Sequence, residues 1–127
     1  MKKIFTISSE IYKNDFLITI DGTAKIIFNF LKKNIKYKLN EEEIKSIKSI
    51  SEYTKNGTTI QLRGGPILIN IKTHKEKSEM YSTICHECVH ATNMLFERKG
   101  IELDYNNDEA FAYFSSYLSK KIFMEIL

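Results

Sequence analysis

Histidine is scarce in this 127-residue chain, three in all, and cysteine scarcer still at two. A histidine-based pattern therefore has little chance of arising from composition alone. Charge of one sign is also lacking: 19 basic residues against 16 acidic ones leave a net +3, with both signs interspersed. So small an excess is a weak footprint for nucleic acid, which is not expected as a partner. No internal repeat and no low-complexity tract is present, so the chain is not a repeat array. No apolar run approaches the roughly 20 residues of a membrane span, and no membrane partner is expected. The start, Met1-Lys2-Lys3-Ile4-Phe5, looks superficially like a signal peptide. Ser8, Ser9, Glu10, Lys13 and Asp15 then break the apolar run, and no small-residue cleavage site follows. The expectation is a cytoplasmic protein.

What is present is a globular composition, 43% hydrophobic with eight Phe and seven Tyr, enough for a single domain over 1–127. Residues 3–8 and 16–20 are rich in β-branched and aromatic residues and predict strands. Ile26, Ile27, Phe30 and Leu31 recur at helical spacing between Thr23 and Lys33. Asn40 followed by Glu41, Glu42 and Glu43 predicts a helix start with a capping box, and Ile44, Ile47 and Ile50 give that helix one apolar stripe. Residues 58–62 and 66–72 read as two strands joined at Arg63-Gly64-Gly65. A long helix follows from about Lys77 to Lys99, ended by Gly100. A final helix opens at Asn106 or Asn107 and runs to about Glu125, with Phe111, Phe114, Leu118 and Ile122 on its core face. The plan is α+β: a small antiparallel or mixed sheet against a helical layer, with the last two helices antiparallel.

The long helix carries His86-Glu87-Cys88-Val89-His90, which reads H-E-x-x-H. A helix turns about 100° per residue, so residues four apart point the same way. His86 and His90 can thus share one metal ion, with Zn²⁺ the expected cofactor. Glu87 lies beside the pair, where a general base for a metal-activated water belongs. Cys85 and Cys88 form a C-x-x-C around the same residues, but the helix turns both thiols away from the histidines. They are expected to be two small buried packing residues. His74, in a charged segment, is expected to be exposed.

A catalytic zinc needs a third protein ligand. Position 96, where one extension of the motif carries histidine, is Phe96, and position 93 is Asn93 rather than glycine. The carboxylates within reach of the sequence argument are Glu97, Glu102, Asp104, Asp108 and Glu109. Glu97 is two turns beyond His90 on the same helix. Eighteen residues, 91–108, separate His90 from Glu109, which stands in the string Asn107-Asp108-Glu109-Ala110-Phe111-Ala112-Tyr113. H-E-x-x-H, eighteen residues and then Glu resembles the gluzincin metallopeptidases, over about residues 82–114. That resemblance implies zinc on His86, His90 and Glu109, Glu87 as base, and a minimal zincin-like domain. The layout as a whole resembles small phage and mobile-element proteins that carry an H-E-x-x-H helix. Two departures stand out. Tyr113 occupies the place of a supporting aspartate, and 127 residues leave no room for the additional domains with which full gluzincins build a cleft. Glu109 also fits a capping box with Asn106. Tyr113 is the best tyrosine to assist an oxyanion, and equally suits packing between helices.

The expected function is a zinc-dependent metallopeptidase acting on a peptide or protein substrate. Two rivals stand beside it: an inactive zinc-containing module that binds a host protein, and, more remotely, a nucleic-acid-associated protein. The sequence carries no mark of an oligomeric state.

Overall fold

A computed structural model describes residues 1–52 and 55–127. Strands β1 (Lys3–Ser9) and β2 (Asn14–Ile20) form an antiparallel hairpin. Helix α1 (Ala24–Phe30) runs on into a π-helical turn, Leu31–Ile35, and helix α2 (Glu41–Glu52) follows. Strands β3 (Gly57–Gln61) and β4 (Ile67–Ile71) make a second hairpin. Helices α3 (Lys77–Arg98) and α4 (Asp108–Ile126) complete the chain. The four strands form one mixed sheet in the order β1-β2-β4-β3, in which β2 and β4 run parallel. No helix among the described residues is long and apolar enough to cross a membrane.

The α+β plan of a sheet packed on helices is borne out, and the helices cover both faces of the sheet. On one face Phe16, Ile18, Ile20, Ile67, Ile69 and Ile71 pack against Met80, Ile84, Cys88, Leu95, Phe114, Leu118 and Ile122 of α3 and α4. On the other, Leu17, Leu62 and Leu68 pack against Ile27, Leu31, Ile47 and Ile50. Strand β4 is buried at all five positions. Its near-continuous Ile-Leu-Ile-Asn-Ile is the signature of a strand covered on both sides. Strand 66–72 is therefore central, and the edge strand beside the motif helix is β3.

Local signals hold where they are strongest. Asn40 and Glu43 form the anticipated capping box, each side chain accepting from the other's backbone N–H at 2.8 and 2.9 Å. Glu43 is buried and also accepts from the Arg63 backbone N–H and the Tyr37 hydroxyl. It ties α2 to the β3–β4 turn. At that turn and after α3, Gly64 and Gly100 have φ of +71° and +68°, which favours glycine.

Candidate metal centre

Helix α3 is two-sided. Cys88, Ala91 and Leu95 are fully buried against the sheet. His86 and His90 lie about 160° around the helix from Cys88 and face solvent. Their Nε2 atoms are 3.2 Å apart, with the rings edge to face. Two imidazole nitrogens on one tetrahedral zinc, each at 2.0–2.1 Å, would be separated by about 3.3 Å. The spacing of the donor pair thus matches that of two ligands on a single ion. Glu87 completes the only group of three or more metal-capable side chains among the described residues, with ligand atoms all within 4.8 Å of one another.

Glu87 is the buried member, 6% exposed. The Thr59 hydroxyl on β3 donates to its Oε1 at 2.8 Å, and its Oε2 lies 3.9 Å from His86 Nε2. The side chain is thereby turned along the helix surface toward β3, with one oxygen held by the strand and the other facing the imidazole. Gly57 makes this approach possible: a Cβ there would stand 2.7 Å from Glu87 Cγ and 2.8 Å from Thr83 Cγ2. A small cavity of about 290 Å³, lined by Lys55, Asn56, Gly57, Ser82, Thr83, His86 and Glu87, opens beside the group.

Strand β3 also presents an outward row of backbone groups. The Lys72 N–H donates to Asn56 O at 2.8 Å, and Gly57 lies opposite Ile71. Antiparallel ladders alternate, so Thr58 and Ile60 bond to β4. The N–H and C=O groups of Gly57, Thr59 and Gln61 then point to the open edge.

The far end of α3 holds the same strand. The Arg98 guanidinium donates to Gln61 Oε1 at 2.9 Å, Asn14 Oδ1 at 3.1 Å, Gly65 O at 2.6 Å, and Leu62 O. Burial lowers its pKa, with the nearby Tyr37 and Glu43 acting the other way. Arg98 thus joins α3 to both ends of the β3–β4 turn and to β2.

The other anticipated residues lie elsewhere. Phe96 packs on Phe111 and Tyr81 on Phe123, with ring centroids 5.7 and 5.0 Å apart. These contacts make α3 and α4 antiparallel and set Glu109 level with the last turn of α3. That is at least two turns, on the order of 10 Å along the axis, from the histidines. Glu109 is exposed and is not grouped with them. It is not in a capping box either. Helix α4 is preceded by Asn107, whose side chain turns back to accept from Asp104 N and donate to Glu102 O. Tyr113 is 73% exposed and lines a groove with Ile11 and Tyr12, away from the histidines. His74 is exposed, its Nδ1 accepting from the Glu76 N–H. Of the two thiols, only Cys88 is buried. Burial pushes it up to about 12, the Ser119 hydroxyl acting the other way, so it is a neutral packing group. Cys85 is exposed on the α4 side, a correction to the expectation that both are buried, because α4 leaves an open groove along Cys85 and Val89.

Thr59, Gly57 and Arg98 were not singled out by the sequence. A glycine opening a strand was the one available signal, since it marks close approach by another element. Compared with protein-family models, with curated protein sequences and with solved structures, the chain finds no match in any of the three.

Proposed function

We propose that this chain is a zinc-dependent hydrolase of peptide bonds, with His86 and His90 holding the metal and Glu87 as the general base. The observation that carries the reading is the 3.2 Å Nε2 pair on the solvent face of α3, with a buried carboxylate held beside it by Thr59. Zinc held there supplies Lewis acidity, lowering the pKa of water and polarising a carbonyl. Glu87 takes up a proton at Oε2, the oxygen not occupied by Thr59, and returns it to the leaving amine. The open edge of β3 favours an extended peptide as substrate, because its outward N–H and C=O groups can bind a strand by backbone hydrogen bonds alone. The cytoplasm suits two free thiols, which stay reduced there.

A second reading has its own support. The group contains two imidazoles and no further carboxylate besides Glu87, and the cavity beside it is small. Those features favour a module that holds metal and binds a protein without cleaving it.

Elemental analysis of protein purified without added zinc should find about one zinc per chain, and His86→Ala or His90→Ala should lose it. Wild type that takes up no metal after reconstitution would overturn both readings. Glu87→Gln should keep the zinc and lose at least about 10²-fold in the rate of peptide cleavage. A peptide library and lysate left intact by zinc-loaded wild type would replace the hydrolase with the binding module. Glu109→Ala decides whether α4 belongs to the coordination sphere: retained zinc confines the site to α3, and lost zinc with an intact fold brings Glu109 into it.

A further inference from the structure

We propose that the chain forms a symmetric dimer by antiparallel pairing of β1 with β1 of a second copy, extending the sheet to eight strands. Strand β1 is an outer strand with seven residues and no proline, so an uninterrupted row of backbone groups faces outward. An edge of that length is a template for another strand unless something blunts it. The only charge within β1 is Lys3, at its first position.

The occupant is identified by the residues themselves. A two-fold axis at Thr6 sets each residue opposite the one whose number makes the sum twelve. Thr6 then meets Thr6 of the second copy, Phe5 meets Ile7, Lys3 meets Ser9, and Lys2 meets Glu10. Paired threonines, apolar pairs and opposite charges are the favourable cross-strand combinations; the Thr6 pair on the axis occurs once, and the apolar and charged pairs each occur twice by symmetry. Sliding the register by two residues, the smallest shift that keeps every side chain on its face, removes the charge pair. In one direction Lys3 then opposes Ile7, and in the other Ile4 opposes Glu10. Lys2 and Glu10 are both exposed, and neither forms an ion pair within the described residues. They are complementary charges whose partners this register supplies.

Exposed apolar surface gathers on the same side. Ile11, 87% exposed, sits just past β1, and Tyr113 and Tyr117 of α4 overhang that end of the strand. Together with Tyr12 and Phe114 they line a largely apolar groove of about 560 Å³. Helix α4 runs along β1, as the Lys3 Nζ bond to Glu125 O at the other end shows. The face preserved by the two-fold axis therefore brings this apolar flank toward its copy, adding side-chain burial to the strand pairing.

The test is sedimentation velocity on the full chain over about 1–100 µM, with circular dichroism to confirm folding. Wild type should sediment as a dimer at the upper concentrations. Glu10→Lys should raise the dissociation constant at least about tenfold, by setting two lysines opposite each other twice. The double exchange Lys2→Glu with Glu10→Lys should restore it. Thr6→Lys, which opposes two like charges at the axis, should leave a monomer. A wild type that stays monomeric throughout overturns the proposal. So does a dimer whose affinity is indifferent to both Glu10→Lys and Thr6→Lys, since the interface then lies elsewhere.

Discussion

Strands β1 and β3 are the two outer strands of one sheet, and each carries a threonine at its middle. Thr6 on β1 is exposed and its hydroxyl has no partner among the described residues. Thr59 on β3 donates to a buried carboxylate 28 positions away. The difference comes from what packs over each strand. Helix α3 lies across β3 and β4 and presses Glu87 onto the strand at Gly57 and Thr59, while its last turn clasps the hairpin through Arg98. On β1 the tie to a helix is at its first residue, where Lys3 Nζ donates to Glu125 O. An edge clasped by a helix along its length becomes a place where chemistry can be held still, and one held only at its end remains a surface for association.

Removing the clamp should give the largest effect. Arg98→Ala leaves Gly65 O, Leu62 O, Gln61 and Asn14 without their donor, and hydrogen bonds to a charged group are each worth about 1.5–3 kcal/mol. Because the guanidinium is only half-buried, a total loss of about 2–4 kcal/mol is expected, read by urea unfolding. Arg98→Lys should recover a minor part, since an ammonium lacks the planar fork. A loss under about 0.5 kcal/mol would show that the bonds to the hairpin contribute nothing net.

Filling the close approach comes next. Gly57→Ala forces a methyl against Glu87 Cγ and Thr83 Cγ2, and should cost about 1–3 kcal/mol. Metal affinity should fall less than in His86→Ala, because the close contacts of a methyl at 57 are with Glu87 and Thr83 and not with the imidazoles. An alanine at 57 that leaves stability unchanged would mean that β3 sits farther from α3 than the fold implies.

The sharpest contrast is one substitution made on both edges. Thr59→Val should cost about 0.5–1.5 kcal/mol by stripping Glu87 of its donor, and Thr59→Ser should largely restore it. Thr6→Val should fall within about ±0.5 kcal/mol. Equal values at the two sites would erase the distinction between them.

The smallest effect is alkaline. Burial and the bond to Glu43 raise the Tyr37 hydroxyl from 10.0 to about 12. A raised folded value means that its contribution is complete below pH 10 and is lost as pH climbs toward 12. Wild type should weaken more steeply over that window than Tyr37→Phe, measured by denaturation at stepped pH; parallel curves would contradict the assignment.

How much was legible depends on how far apart in sequence the interacting groups lie. The capping box of Asn40 and Glu43 spans three residues and was readable in full. So were the extent of α3, the stop at Gly100, and the helical spacing that sets His86 and His90 on one face with Cys88 opposite. Each is decided by helix geometry within a few turns. The antiparallel run of α3 and α4 was legible too, but not which of their turns face each other. Eighteen residues between His90 and Glu109 specify a contour length, but the packing of Phe96 on Phe111 and Tyr81 on Phe123 decides which turns of the two helices face each other.

Local order thus belongs to the sequence: element types, the capping box and the metal-capable pair. These rest on backbone periodicity and on caps whose partners are neighbours. The tertiary structure alone decided that β4 is central and β3 peripheral, that Thr59 and Gly57 meet Glu87, and that Arg98 ties the hairpin to α3. Those choices follow from burying two faces of one sheet at once, a condition on the whole chain that no short stretch of it can express.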